Sequence, residues 1–158
     1  LPETIDRSQF LTPRMTRDID IVIDLRPEAV ERFNSLFRDD FYIDVDTVRT
    51  EVRHARRFNI IHDEHAVKID FVVLKSSEFR LTEFARRRRV HVFGQDVYFV
   101  SPEDLVLSKL IWARNSMSEM QLRDVKKLLG ASAPMDHSYL QEWVSQLGLD
   151  DLYRKALE

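Results

Sequence analysis

Asp18–Leu25 reads DIDIVIDL, and this stretch decides the fold. Its isoleucines stand at alternate positions, and aspartates fill most of the positions between them. Because successive side chains of a strand point to opposite faces, the pattern predicts a β-strand with one hydrophobic and one acidic face. Asp18 and Asp20 therefore lie side by side, where two carboxylates repel each other unless a cation lies between them.

The composition of the whole chain restricts the classes of protein to consider. Its 158 residues are 44% hydrophobic and 32% charged, and a net charge of −3 does not by itself predict a nucleic-acid-binding protein. Cysteine is absent, which excludes disulfides and cysteine-based zinc sites and favours a reducing compartment. No apolar run approaches the roughly 20 residues of a membrane span, and no signal peptide is recognised, so we expect a cytoplasmic protein without membrane contact.

The residues that follow the first strand alternate between strand and helix patterns. They predict, in chain order, a helix at 27–39, a strand at 41–45, a helix at 47–57, strands at 58–62 and 66–74, a helix at 78–87 and a hairpin of 90–93 with 97–100. Only helical spacing remains after residue 100. Ser101 is predicted to cap the first helix, with Pro102 in its first turn and Glu103 near the positive end of its dipole. Further helices are predicted at 118–129, 137–147 and 150–157. The order predicts an α+β protein, with a sheet unit at 1–100 and a C-terminal helical region at 101–158.

Asp70 is the best candidate for a third carboxylate beside Asp18 and Asp20. It lies in VKIDFVV, where Ile69 and Phe71 face one way and Asp70 faces the other. A charged residue in an otherwise apolar strand is costly to bury without a partner, which indicates a use for it. Carboxylate oxygens suit Mg²⁺, and a third carboxylate is needed to hold a second metal ion.

A simpler interpretation is that these aspartates are solvated residues of a strand edge, because two aspartates two residues apart are a common pattern. Asp44 and Asp46 repeat the spacing, and there we favour the simpler interpretation. We expect Asp46 to cap the next helix and Asp44 to face solvent. Asp24 shares the acidic face but lies at the far end of the strand, so we interpret it as structural.

Several segments in a fixed order carry a resemblance to a known family. They are PRMTRDIDIVIDL at 13–25, FNIIH at 58–62, VKIDFVVLK at 67–75, EFARRRRVHVFGQDVYFVSPEDLVLSKLIWAR at 83–114 and QLRDVKKLLG at 121–130. Over residues 13–158 the chain resembles the bacterial nucleotidyltransferase-like proteins of the DNA polymerase beta superfamily, which are related to AbiEii-type toxins. The resemblance implies a small mixed β-sheet nucleotidyltransferase fold with helices on one side and a C-terminal helical region.

The resemblance also implies an activity and roles for named residues. The activity is Mg²⁺-dependent transfer of a nucleoside monophosphate from a nucleoside triphosphate (NTP) to a hydroxyl of RNA, tRNA or a protein, as a toxin with an antitoxin partner. Carried over by position, Asp18 and Asp20 bind two Mg²⁺ ions, while Asp70 binds the catalytic ion and acts as general base. The residues expected to bind the nucleotide are Ser8, Arg14 and Lys109.

The chain departs from the family at the phosphate-binding motif. That motif is a Gly-Ser pair at a helix N-terminus, ten or more residues before the aspartates, whose N–H groups hold the triphosphate. Glu3 and Thr4 occupy the corresponding place, and Ser8 is the nearest hydroxyl. The alternative to an enzyme is therefore a non-catalytic binding module with the same fold, and a nuclease that uses the same acidic set is a third hypothesis.

Other basic residues have two interpretations each. Arg86–Arg89 end a predicted helix, where arginine is favourable through the helix dipole, so a structural role suffices. If this run and the group formed by Arg53, Arg56 and Arg57 flank the acidic set, they bind a triphosphate or an RNA backbone. Lys109 is either a solvated helix residue or, as the resemblance implies, a phosphate contact.

Overall fold

The computed structural model describes residues 18–116, 118–131 and 134–158, with side chains from Ile19 onward. These residues form two compact units, of which the first ends at Leu81 and the second begins at Thr82. The boundary between the two units therefore precedes the hairpin, whereas the boundary drawn from the sequence follows it, at residue 100. No helix in the described part of the chain is both long enough and apolar enough to cross a membrane.

The first unit is a four-stranded sheet with helices. Its elements are β1 (Asp18–Ile23), a 3-10 turn (Pro27–Ala29), α1 (Val30–Phe37), β2 (Phe41–Tyr42), α2 (Val45–Arg53), β3 (Arg57–His62), β4 (Lys68–Val73) and the start of α3 (Glu78–Ala85). The strand order is β1-β4-β3-β2. Strand β4 runs parallel to β1 and antiparallel to β3, so the sheet is mixed.

The core of the first unit lies on one face of this sheet. Val30 and Phe33 of α1 stand one helical turn apart and therefore share the face that is buried. The Phe33 ring meets the rings of Phe58 and Phe71 edge to face, with centroids 5.5 and 5.1 Å apart. Helix α2 adds two further buried residues to the same cluster, Val48 and Val52. Since both helices cover this face, the opposite face of the sheet carries the polar side chains.

The second unit is a hairpin followed by four helices. Its elements after α3 are β5 (Arg88–Val92), β6 (Gln95–Phe99), α4 (Pro102–Ser116), α5 (Glu119–Leu129), α6 (His137–Gln146) and α7 (Asp150–Leu157). Helix α4 contacts the other three helices. Its residues Val106, Leu107 and Leu110 are completely buried, as apolar side chains in a protein core usually are.

The α+β class, a small mixed sheet and a helical C-terminal part are all confirmed. The predicted cap of α2 is wrong. The carboxylate of Asp44 accepts the Thr47 backbone N–H at 3.1 Å and its hydroxyl at 2.8 Å, whereas Asp46 lies inside the first turn and binds Arg49. The predicted Ser101 cap of α4 is confirmed, because its Oγ accepts the Asp104 N–H at 3.2 Å.

Candidate functional site

The strand register places Asp20 beside Asp70. These residues are direct neighbours on the parallel strands β1 and β4, and adjacent strands lie about 4.8 Å apart. Ile69 and Phe71 on either side of Asp70 belong to the packed side of the sheet. Because side chains alternate along a strand, Asp20 and Asp70 project together from the opposite face. We call this pair, with its neighbour Asn59 on β3, the acidic row.

The two carboxylates of the acidic row have different surroundings. Asp70 is only 7% exposed, and its Oδ2 lies 2.8 Å from Nζ of Lys68, two residues earlier on the same face. Asp20 is exposed, and the described residues supply no hydrogen bond or ion pair to its carboxylate. The described contacts therefore hold the Asp70 carboxylate in place and include none for the Asp20 carboxylate.

The third strand adds two exposed polar side chains to the face of the acidic row. Asn59, which sequence reasoning did not assign to the site, stands beside Asp70. Arg57, which the sequence offered as a flanking cation, stands beside Val72 on the same face. The antiparallel register of β3 with β4 brings them there. That register depends on how the 63–67 connection closes, which the alternation of residues within β3 does not reveal.

Three predicted site residues are described in part or not at all. The backbone of Asp18 stands beside Lys68 in the ladder between β1 and β4. The side chain of Asp18, and both Ser8 and Arg14, lie outside the described residues.

Lys109 belongs to the second unit and has protein partners there. Its Nζ lies 2.9 Å from Oδ2 of Asp124 and 3.2 Å from Oε1 of Gln121, so the side chain joins α4 to α5. Its side chain is 18% exposed. Arg123, next to Asp124, turns instead to Glu119 on the exposed face of α5. The described contacts of Lys109 are those of a helix–helix ion pair.

The donor set of the acidic row fits a hard divalent cation in its chemistry. Asp20 and Asp70 offer carboxylate oxygens, and Asn59 offers an amide oxygen, which are ligand types that Mg²⁺ accepts. Among the side chains that the structure describes, no three His, Asp or Glu residues are grouped so as to hold a metal ion. The third carboxylate that the sequence predicts for this row is that of Asp18.

A second acidic pair, Glu103 and Asp104, lies at the start of α4 and is almost completely buried. Arg86 contacts both carboxylates, with Nη2 at 3.5 Å from Glu103 and Nε at 3.2 Å from Asp104. Arg88 lies 3.5 Å from Glu103. The Tyr139 hydroxyl donates to Asp104 at 2.6 Å. We call Glu103 and Asp104 the buried acidic pair.

The charges of the buried acidic pair are compensated within the chain. Burial alone raises the pKa of Glu103, but the hydrogen bond from the Asp136 backbone N–H at 2.9 Å and the nearby Arg88 outweigh it and lower the pKa. Burial and the bond to Asp104 raise the pKa of Tyr139, so its hydroxyl stays a donor. No buried side-chain polar atom in the described part of the chain is left without a partner. This cluster is therefore structural.

Comparisons with protein-family models and with curated proteins found no significant match to this chain.

Proposed function

We propose that this chain is a Mg²⁺-dependent nucleotidyltransferase built on the nucleotidyltransferase fold. The observation that carries the proposal is the acidic row, in which Asp20 and Asp70 stand side by side on adjacent parallel strands. They face away from the hydrophobic core although they are distant in sequence. Asp18, at the neighbouring position on the same face, completes a set of three carboxylates. The resemblance in segment order supports the same assignment.

The reaction assigned to this site transfers a nucleoside monophosphate. An acceptor hydroxyl attacks the α-phosphorus of an NTP, a new P–O bond forms, the bond between the α- and β-phosphates breaks, and pyrophosphate leaves. Mg²⁺, when bound, stabilises the charge on the phosphates and lowers the pKa of the attacking hydroxyl. The protein's part is to hold the ligand oxygens of Asp18, Asp20 and Asp70 in place and to accept the hydroxyl proton, which we assign to Asp70.

Lys68 has a defined part in this proposal. Two carboxylates on neighbouring strands repel each other, and the Lys68 ammonium at 2.8 Å from Asp70 offsets that repulsion before a metal ion binds. The same contact fixes the orientation of the Asp70 side chain. We therefore assign Lys68 a positioning role beside the site.

The test is transfer of a radiolabelled nucleotide from each of the four NTPs, with Mg²⁺, to total RNA and to protein. Asp18→Ala, Asp20→Ala and Asp70→Ala are each expected to reduce labelling to background. Asp24→Ala is the matched control, because Asp24 is an exposed aspartate just beyond the end of the same strand, and it is expected to keep parental labelling. Equal labelling by the parent and all four variants contradicts the mechanism.

A non-catalytic binding module is the second candidate, and one observation favours it. Lys68 already provides a cation at Asp70, so the row needs fewer bound metal ions than three free carboxylates would. In that case the chain binds Mg²⁺ and NTP without forming a labelled product.

Calorimetry separates the two candidates. Heat from NTP binding in the presence of Mg²⁺, together with no transfer to any acceptor, favours the binding module. Transfer that is lost in Asp20→Ala favours the enzyme. Shortened RNA, in place of labelled RNA, indicates the nuclease.

A further inference from the structure

The tip of the β5–β6 hairpin carries an unusual residue. Phe93 is 97% exposed and has a backbone φ of 50°, and it is followed by Gly94 with a φ of 78°. A two-residue hairpin turn of this kind favours Asn, Asp or Gly at its first position, because a bulky side chain is disfavoured at positive φ. Phe93 therefore costs stability twice, because its backbone is in a disfavoured conformation and its apolar ring is exposed to water. Such an outlier points to a role outside the fold itself.

One face of the hairpin presents aromatic and basic side chains to solvent. Arg89 pairs with Tyr98 across the strands, and His91 pairs with Asp96 on the same face. The Tyr98 side chain is 55% exposed, and the Arg87 guanidinium lies 4.9 Å from the centre of its ring. We call this face, together with Phe93 at the tip, the ribbon face.

The charge of this segment is opposite to that of the chain. Residues 86–100 contain four arginines and one acidic residue, Asp96, whereas the whole chain has a net charge of −3. Arg86 and Arg88 turn to the buried acidic pair. Arg89 is paired with Asp96, the single carboxylate of the segment, at 3.3 Å, and Arg87 adds a second cation beside Tyr98. The two arginines outnumber the one carboxylate, so the ribbon face is positively charged.

We propose that the ribbon face binds single-stranded nucleic acid. Aromatic rings stack on bases of any sequence, and neighbouring arginines contact phosphates, which is the combination found on this face. Phe93 supplies one stacking ring at the tip. Tyr98 supplies the second, about 10 Å along β6 from Gln95 at a rise of about 3.4 Å per residue. Arg87 and Arg89 lie beside Tyr98 and serve the phosphates.

A membrane surface fits the same hairpin less well. Gln95 and Asp96 follow the Phe93–Gly94 turn directly. Insertion of Phe93 into a bilayer would bring the Asp96 carboxylate towards the apolar phase, where a charge is costly. Stacking on a base leaves Asp96 in water. The inference is independent of the proposed nucleotidyl transfer, because it concerns residues outside the acidic row.

The experiment is fluorescence anisotropy of the full chain with a labelled single-stranded RNA of ~12 nucleotides in about 50 mM salt. Phe93→Asn is the decisive variant, because asparagine suits a positive φ and so leaves the turn intact or more stable. It is expected to weaken RNA binding about five-fold or more, with no fall in the thermal midpoint of tryptophan fluorescence. Phe93→Trp keeps the stacking ring and is expected to bind like the parent.

Two further variants test the assignment. Arg89→Gln is expected to weaken binding and to reduce the slope of log affinity against log salt concentration by about one. Tyr42→Ala is the matched control, because Tyr42 is another exposed aromatic residue of a strand, 66% exposed in the first unit, and it is expected to bind like the parent. A DNA strand of the same sequence shows which of the two polymers the ribbon face prefers. Binding of either polymer that is weakened in Phe93→Asn supports the proposal.

Three results overturn the inference. The first is no anisotropy change with the parent chain, and the second is equal binding by the parent and Phe93→Asn. The third is that Phe93→Asn loses binding to anionic lipid vesicles, or self-association in sedimentation, while its RNA affinity stays unchanged. Loss of nucleotide transfer in the aspartate variants, with RNA binding intact, leaves this inference standing.

Discussion

The acidic row and the buried acidic pair differ in what compensates the charge of their carboxylates. The buried acidic pair is enclosed by Arg86, Arg88 and the hydroxyl of Tyr139. The acidic row has one lysine, bound to Asp70, and Asp20 is exposed without a described partner. A pair that is compensated within the chain contributes to folding, whereas a carboxylate without a described partner is the better candidate for binding a ligand. The comparison distinguishes a structural pair from a candidate site more clearly than the spacing of the aspartates does.

The difference predicts opposite effects of the same kind of substitution, and the largest effect is expected at Asp104. The Asp104 carboxylate accepts hydrogen bonds from the Ser101 hydroxyl and the Tyr139 hydroxyl, each at 2.6 Å, so Asp104→Ala leaves both without their acceptor. It also removes one of the two acids that Arg86 contacts. We expect a loss of about 3–5 kcal/mol in the free energy of unfolding. Both tryptophans, Trp112 and Trp143, belong to the second unit, so urea unfolding followed by tryptophan fluorescence measures it there.

The control for that measurement is Asp151→Ala. Its carboxylate is 94% exposed and pairs with Arg154 within one helix. A surface substitution of this kind changes stability by no more than about 0.5 kcal/mol. Equal urea midpoints for Asp104→Ala and Asp151→Ala contradict the structural role of the buried acidic pair.

The next effect in size is expected from Tyr139→Phe. It removes the hydroxyl that donates to Asp104 at 2.6 Å and keeps the ring over which the Arg86 guanidinium lies, 3.7 Å from its centre. A hydrogen bond to a charged group contributes about 1.5–3 kcal/mol, so we expect a loss in that range by the same fluorescence measurement. A variant as stable as the parent indicates that Ser101 and Arg86 alone compensate Asp104.

At the acidic row the expected change is in binding and not in stability. Asp20→Asn removes a charge without a described partner, so the free energy of unfolding is expected to stay within about 0.5 kcal/mol of the parent. Its affinity for Mg²⁺ in calorimetry is expected to fall about ten-fold or more, since even indirect ligand partners contribute that much. Asp24→Asn is the matched control with unchanged Mg²⁺ affinity. Unchanged affinity in Asp20→Asn removes Asp20 from the site.

Glu103 adds a pH test of the same comparison. Its pKa lies below the ordinary value of 4.5 in the folded chain, so the unfolded chain binds the proton more readily. The stability that Glu103 contributes is therefore present above about pH 4.5 and is lost as the pH falls through the lower folded-state pKa. Glu103→Gln is expected to be less stable than the parent at pH 7, with the difference shrinking in acid. A difference that is constant with pH contradicts the assignment.

What the sequence could predict here follows from the distance over which each interaction acts. The strand predicted from the alternation in Asp18–Leu25 and the Ser101 cap both depend on neighbours in the chain. The strand is observed over Asp18–Ile23, and the cap is confirmed. The sequence alone places Glu103 near the positive end of a helix dipole. Its burial beside Arg86 and Arg88 depends on how the β5–β6 hairpin returns the chain from these arginines to α4. Local sequence patterns do not determine that return.

The acidic row shows the same limit. The sequence selects Asp20 and Asp70 from their strand patterns and a family resemblance, and the register places them side by side. The Lys68 contact and the position of Asn59 follow from strand pairing, which alternation alone does not determine. The roles of all these residues in catalysis stay predictions.

The smallest expected effect concerns the second pair of spaced aspartates, at the start of α2. The sequence predicted Asp46 as the cap, because either aspartate suits the position before a helix. The structure selects Asp44, whose carboxylate accepts both the N–H and the hydroxyl of Thr47 and whose pKa is lowered by those two bonds. Asp46 lies one residue inside the helix, where its only described side-chain partner is Arg49.

Amide hydrogen exchange over α2, followed by mass spectrometry, distinguishes these two roles. Asp44→Ala removes the cap and is expected to speed exchange in α2 about five-fold. Asp46→Ala leaves the cap in place and removes an exposed ion pair, so a change of less than about two-fold is expected. Faster exchange in Asp46→Ala than in Asp44→Ala would restore the prediction from sequence. If Asp44→Ala has the larger effect, the role of each aspartate in this pair follows from the partners of its carboxylate. The same rule distinguishes Asp104 from Asp20.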